Sequence, residues 1–339
     1  MKTGNMLAAL FLSLALGAGS IPGAHAAVAL IYHRFDDARY PSTNLSLATF
    51  RQQLNWLAAN GFEVWPASRL IERLESGGAV PDKVAVITID DAYRSLLGAA
   101  ELLEEYRYPF SVFVSTRPID QRTPDLLDWE GLRGLCMQGG EILNHAADHD
   151  SLLARAGETL SERRQRILEQ VTTAQQRIDD EVPEDCRAEI FSYPYGEFDS
   201  LAEETLAGAG YAAFGQQSGP IATWDSLQAL PRFPVNQAFA DSDLMKTKLL
   251  SLPFPDVLER ADPVVVENPP MLRLNAFPEV DRVRCFDGMG APLDRMVENE
   301  IRVFRASAPL GRGRNRYNCT YAAADGERYH WLSQFWYVP

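Results

Sequence analysis

Histidine is scarce in this sequence, cysteine is scarcer, and glycine-rich loops are missing. The 339 residues hold five histidines and four cysteines. No strand-like run is followed by a glycine fingerprint, so dinucleotide or phosphate binding of that type is excluded. Beyond residue 26 no segment approaches the roughly 20 consecutive apolar residues that a bilayer-spanning helix needs. Positive charge is also in deficit, with 32 Lys and Arg against 46 Asp and Glu. A chain this acidic is a poor partner for nucleic acid or an anionic membrane. No internal repeat is present.

The first residues, MKTGNMLAALFLSLALGAGSIPGAHA, read as an export signal. An early Lys2 precedes an apolar run from Met6 to about Leu16, and Ala24-His25-Ala26 fits a small-x-small cleavage site. The expectation is cleavage after Ala26 and a periplasmic or secreted protein. Loss of residues 1–26 leaves 31 basic against 46 acidic residues, net −15. The remainder is long enough for one large domain and a small one. An even number of cysteines in an exported chain suits disulfides. Cys285 and Cys319 fall together near the C-terminus and are the favoured pair, which leaves Cys136 with Cys186. None of the spacings resembles a zinc-thiolate cluster.

From Ala27 to about Leu250, short apolar runs alternate with longer amphipathic ones. The runs AVALIYH, VAVITID, FSVFVST, GEILNH, EIFSYPY, YAAFGQQ and LPRFPVN predict strands. Patterns such as LATFRQQLNWLAANG, AYRSLLGAAELLEEY, DWEGLRGLCMQG and LSERRQRILEQVTTAQQRIDDEV predict helices between them. Strands alternating with helices imply βαβ units and a parallel sheet buried on both faces. Seven such strands suit a closed or nearly closed barrel, with functional groups at the strand C-terminal ends. The predicted layout is a barrel over 27–252, a proline-rich linker over 253–270, and a small antiparallel β-domain over 271–339.

Several constellations can carry chemistry. In EILNHAADHDSL, His145 and His149 stand four apart at a strand end. In a helical turn that spacing places both imidazoles on one side, as a shared ion requires; two polar loop residues that happen to be close fit equally well. VAVITIDDAYRS ends a strand with Asp90 and Asp91. Adjacent carboxylates there suit two jobs, one ligating a metal and one acting as a base, although helix capping also explains one of them. FSYPYGEFD places Pro194, Tyr195 and Gly196 just past a strand, either an ordinary turn or one aiming a backbone N–H into a cleft as an oxyanion donor. ALIYHRF puts His33 at the end of the first strand. Three of the four histidines beyond residue 26 thus lie at predicted strand ends; His330 does not.

Taken together and in this order, an Asp-Asp, a His-x-x-x-His and a Pro-Tyr-Gly turn resemble the NodB-homology polysaccharide deacetylases, carbohydrate esterase family 4. The resemblance covers roughly Ala27–Leu250. It implies an α/β fold, a distorted (β/α)7 barrel, here with a small C-terminal all-β domain. With His33 on the first strand, the chain is most similar to the branch acting on poly-β-1,6-N-acetylglucosamine. The resemblance implies that Asp91, His145 and His149 hold a divalent metal, most often Zn2+, with Co2+, Ni2+ or Fe2+ as alternatives. It makes Asp90 the general base, His33 the general acid and the Tyr195 N–H an oxyanion donor. Tyr193, Pro194, Trp129 and Arg232 are the candidates for substrate contact, Trp129 also suiting core packing. The implied partners are an acetylated polysaccharide and exopolysaccharide export or envelope proteins.

Departures from the family pattern carry their own expectations. Ala92 stands where glycine is usual, so that turn is expected to avoid positive φ. Ala146 replaces a hydroxyl residue that braces the loop. Ser192 stands where many members carry an arginine orienting the catalytic aspartate, and Arg232 in LPRFP is the candidate replacement, an ordinary structural arginine the alternative. The run GRGRNR, residues 311–316, is the one basic patch; it fits an anionic glycan or partner, or an exposed turn. The aromatics of YHWLSQFWYVP suit sugar stacking or packing between domains. A glycoside hydrolase and a catalytically silent polysaccharide-binding protein are the rival readings; the first needs two carboxylates roughly 5–10 Å apart.

Overall fold

The computed structural model describes residues 27–240 and 242–339. The expected signal segment, 1–26, lies outside the described residues. Eight parallel strands form the first sheet: β1 (Ala27–Tyr32), β2 (Glu63–Trp65), β3 (Val84–Asp90), β4 (Phe110–Val114), β5 (Gly140–Asn144), β6 (Arg187–Ser192), β7 (Ala212–Phe214) and β8 (Phe233–Pro234). Their order is β8-β1-β3-β4-β5-β6-β7, with β2 also on β3. β1 pairs along one edge of β3, while β2 (at Val84–Val86) and β4 (at Thr88–Asp90) share the other. The seven-stranded path curls through 242° without closing, the distorted (β/α)7 barrel.

Strand alternation decides which side chains enter the barrel. Val28, Leu30, Tyr32, Ala85, Ile87 and Ile89 pack outward against helices α1 (Leu47–Ala59) and α3 (Leu96–Tyr106). Ala27, Ala29, Val84 and Val86 pack inward with Phe113, Leu143, Ile190 and Phe214. The period of two therefore carries Thr88 and Asp90 into the interior. Helix α2 (Ala67–Glu75) joins that inner cluster through Leu70, Ile71 and Leu74. Neither β2 nor α2 was among the expected elements.

Three longer helices follow, α4 (Trp129–Met137), α5 (Leu160–Glu181) and α6 (Ser200–Gly208), beside a single helical turn at Thr116–Asp120. α5 starts at a reciprocal cap between Thr159 and Glu162. It buries Ile167, Val171, Ala174 and Ile178, spaced three or four apart on one face. A Cys136–Cys186 disulfide ties the end of α4 to the turn before β6.

After α7 (Ser242–Leu249) the chain enters two antiparallel-rich sheets. One orders β9 (Leu252–Pro253), β15 (Tyr329–Val338), β14 (Gly313–Ala322) and β11 (Arg284–Asp287); the other orders β10 (Met271–Leu274), β13 (Ile301–Arg305) and β12 (Asp294–Glu298). Cys285 and Cys319 face each other across β11 and β14 and are bonded. The stretch expected as a linker is built into this region: Pro253 pairs with Trp331, Leu258 bridges Leu274 and Val264 bridges Tyr337. Of the β15 aromatics, Trp331, Phe335 and Tyr337 pack on the barrel, whereas Trp336 enters the core of the β-domain. Trp331 packs edge-on against Phe233 with ring centroids 5.4 Å apart and donates to the Ser218 hydroxyl at 3.0 Å.

Candidate active site

Strands β3, β5 and β6 end on one rim, and their following turns carry the singled-out residues. Asp91 Oδ1 lies 3.2 Å from His149 Nε2 and 3.6 Å from His145 Nε2. Two ligand atoms about 2.0–2.1 Å from one tetrahedral ion must sit roughly 3.3 Å apart, so these separations fit a shared cation. Among the described residues these three form the one group of His, Cys, Asp or Glu so placed.

The two histidines do not converge through a helix. Residues 145–149 are an irregular loop in which Ala146 and His149 take φ of 67° and 61°. His145 is buried, and its Nδ1 lies 2.7 Å from the Ser192 carbonyl. A carbonyl only accepts, so Nδ1 carries the proton and Nε2 keeps its lone pair toward Asp91. Burial pushes the His145 imidazole down to about 4, so it is neutral at neutral pH. Burial lowers His149 too, but its hydrogen bond to Asp91 wins and the ring is raised.

Asp90 points inward and is fully buried. Arg232 holds it at both oxygens: Nη1 to Oδ1 at 2.7 Å and Nη2 to Oδ2 at 2.9 Å. The remaining guanidinium N–H groups donate to Gly215 O at 2.9 Å, Thr88 Oγ1 at 3.1 Å and Ser192 Oγ at 2.7 Å. All five donors of an arginine are thereby used. Burial pushes the Asp90 carboxyl up, but Arg232 and His145 outweigh it and hold the group below its ordinary value. Ser192 leaves room for this arrangement, and Arg232 reaches Asp90 from just before the edge strand β8, across β1.

This position corrects one expectation. Arg232 is buried against Asp90 and faces no substrate. Tyr193 is likewise no part of a sugar-binding wall: it is buried, stacks on Phe198 at 5.0 Å and donates to Gln228 O at 2.9 Å. Trp129 donates to Asp120 at 2.8 Å and packs against the outer core. Pro194 is buried in the turn. His33 lies half-buried just past β1, near enough for its charge to act on Asp90 and Asp91.

Backbone strain gathers here. Asp91, Ala92, Ala146, His149 and Tyr195 all have positive φ, between 55° and 72°. Such residues cost on the order of 1–3 kcal/mol each and persist where surroundings over-determine them. Ala92 thus adopts the conformation that its lack of glycine argued against. The turn is pinned by Asp91 N–H to Phe113 O and Leu127 N–H to Ala92 O, both at 3.0 Å. At Ala146 the bracing comes from Asn144 Oδ1, which accepts the Ala146 N–H at 3.0 Å. Gly196 is required twice over: its φ is 69°, and a Cβ would lie 2.5 Å from Gln216.

Two contributors escaped the sequence reading, Tyr93 and the Arg314 contact to Tyr195. Tyr93, two residues after Asp91, lies under the Arg34 guanidinium, 3.3 Å from its ring centroid. Burial and the Asp91 charge push its hydroxyl up to about 12. Tyr195, 43% exposed, packs edge-on against His149 at 4.6 Å and receives Arg314 Nη1 on its carbonyl at 2.9 Å. Adjacency to Asp91 was the available signal for Tyr93; nothing local marked Arg314 as reaching Tyr195.

Residues 77–214 match the family model described as polysaccharide deacetylase. The chain is 24% identical over 243 residues to a poly-beta-1,6-N-acetyl-D-glucosamine N-deacetylase of Escherichia coli K12, covering 60% of this chain and 36% of that protein. It thus spans about a third of that relative's length. Its fold is similar to the Streptococcus pyogenes deacetylase PplD in complex with acetate, with a TM-score of 0.58, 16% identity, and coverage of 66% of this chain and 98% of that one. IcaB from Ammonifex degensii gives a TM-score of 0.56 at 21% identity, covering 65% and 96%. Motif order, barrel and family match agree over residues 77–214, the stretch that matches the NodB-type polysaccharide deacetylase domain.

Proposed function

We propose that this chain is a metal-dependent hydrolase removing acetyl groups, specifically the N-acetyl of glucosamine units, from an exported or cell-envelope polysaccharide. The carrying observation is a three-ligand cluster of Asp91, His145 and His149 beside a carboxylate, Asp90, that Arg232 holds apart from it. The E. coli relative's name supports the substrate class, and the paired cysteines suit an exported chain.

The donor set, two imidazole nitrogens and one carboxylate oxygen, fits zinc and leaves coordination positions open, as catalytic sites do. A divalent ion bound there would acidify water and polarise the acetyl carbonyl. Asp90, kept ionised by Arg232, accepts the proton of the attacking water. The Tyr195 N–H lies in the Pro194–Gly196 turn just past β6 and serves as a donor to the developing oxyanion. His33 protonates the amine as the amide C–N bond breaks, since an unprotonated amine leaves poorly. Acetate and a glucosamine unit result.

The test is acetate release from an N-acetylglucosamine oligomer, with metal content measured before and after chelation. Release that stops on chelation and returns with metal is the expected result. Full-rate turnover by metal-free protein, or chain shortening without acetate, would overturn the proposal.

A further inference from the structure

The rim at Tyr195 opens into a second space. A cleft of about 660 Å³ separates the Tyr195 turn from the C-terminal sheets, with Gln216 on the barrel side and Met289, Arg314, Asn315 and Arg316 on the other. The basic run at 311–316 is therefore no free turn. It leads into β14, where Tyr317, Cys319 and Tyr321 enter the sandwich core. Arg314, Arg316 and Asn318, on the alternate face, turn toward the barrel; Arg314 donates to Tyr195 O and Asn318 Oδ1 accepts from Ser218.

Arg316 is the anomaly on that face. It is half-buried, yet among the described residues its guanidinium has neither an ion-pair partner nor a hydrogen-bond acceptor. Burial alone weighs on its charge, with no acid offsetting it. Asp287, the acid in the cleft lining, is committed to its own turn, accepting the Met289 and Ala291 N–H groups at 2.9 Å each. Glu197 stands 3.9 Å from Arg314 Nε and accepts the Ser151 hydroxyl at 2.6 Å. Lys248 adds a like charge nearby; burial and Arg316 push its amine down to about 8.

We propose that this cleft binds an anionic group, a carboxylate or a phosphate, on a sugar flanking the one deacetylated in the barrel. The proposal rests on the deacetylase reading of the barrel site and narrows its substrate to an acidic polysaccharide. A partly desolvated guanidinium is the group that gains most from such a ligand, because its planar fork matches both anions. In a chain with 46 acidic against 32 basic residues, general attraction cannot supply that binding. The same positive wall repels the free amine that deacetylation leaves behind.

Calorimetric titration of the full chain at low salt tests this. Three oligosaccharides of equal length serve as probes: neutral N-acetylglucosamine, N-acetylglucosamine alternating with glucuronate, and the neutral oligomer bearing a phosphate ester. At least one acidic probe should bind roughly tenfold tighter than the neutral one, the advantage shrinking with salt, and the two acidic arms separate carboxylate from phosphate. Arg316→Gln should erase the advantage and Arg316→Lys should retain part of it, with both unfolding midpoints unchanged. Equal binding of all three probes, or an advantage that survives Arg316→Gln, would overturn the proposal. Acetate release, measured in parallel from all three probes, separates the two readings. Release without an anion advantage leaves the barrel reading and removes the cleft; an advantage without release does the reverse.

Discussion

Replacing Arg232 by Met tests how the interior charge is held. The change removes a guanidinium that is fully buried and makes five hydrogen bonds. Methionine fills similar apolar volume without strain. Breaking a buried pair by deleting one partner costs about 3–5 kcal/mol, because the surviving charge is left uncompensated. In wild type the folded Asp90 carboxyl is held below its ordinary value, so its contribution is present at neutral pH and lost only in acid. Without Arg232, burial dominates and the folded carboxyl rises. The sign then reverses: the unfolded chain releases its proton first, and the penalty grows as pH climbs from the unfolded toward the raised folded value. Chemical denaturation should therefore show Arg232→Met losing more stability at pH 8 than at pH 5. The double variant with Asp90→Asn should be less damaged than the two single losses added, by about 1–3 kcal/mol. The acid limb of kcat/KM should also move to higher pH, since the base must ionise before it can accept a proton. A loss under about 1 kcal/mol, with an unmoved acid limb, would refute the claim that Arg232 sustains the Asp90 charge.

Asp90 and Asp91 should separate cleanly. Asp91→Ala and His149→Ala should abolish metal content and turnover together, whereas Asp90→Asn should keep the metal and lose turnover by roughly 10²–10⁴-fold; metal analysis beside acetate release reads both. Asp225 is raised by burial to about 6 from 3.8 while its carboxylate accepts the Ala222 N–H at 2.7 Å. The unfolded chain ionises first, so this residue destabilises the fold increasingly from pH 4 to pH 6 and by a constant amount above. Asp225→Asn, which can keep the hydrogen bond, should gain about 1–3 kcal/mol at pH 8 and nothing near pH 4; equal gains at both would contradict the burial argument.

Much of the barrel was legible because its signals are local. Every residue of β1, β3, β4 and β5 is buried, and a strand covered on both faces must be written as an unbroken apolar run. Helix α5 carried both its cap and its spacing on the surface of the sequence. The pair β2 and α2 was missed although Leu70, Ile71 and Leu74 have helical spacing. A strand of three residues ending at Pro66 is too brief to show a period. The HAADH spacing left a helical turn and a loop both open, because i and i+4 meet in a helix and also across a loop bent by left-handed residues, and the loop is what forms. Ala92 was misjudged for a related reason: a turn pinned by its neighbours can impose a φ that the residue alone disfavours.

By itself the sequence determined which residues face which layer and which chemical groups stand at strand ends, because alternation and chirality act over a few residues. Tertiary structure alone decided what those groups meet. Arg232 finds Asp90 across 142 positions, and Arg314 finds Tyr195 across 119. Each contact exists only after the sheet has curled and the C-terminal strands have docked on it. Burial follows from the same closure: it turned Tyr193 and Arg232 away from solvent and left Arg316 half-desolvated without a partner among the described residues, outcomes set by the packing of distant elements that no local pattern encodes.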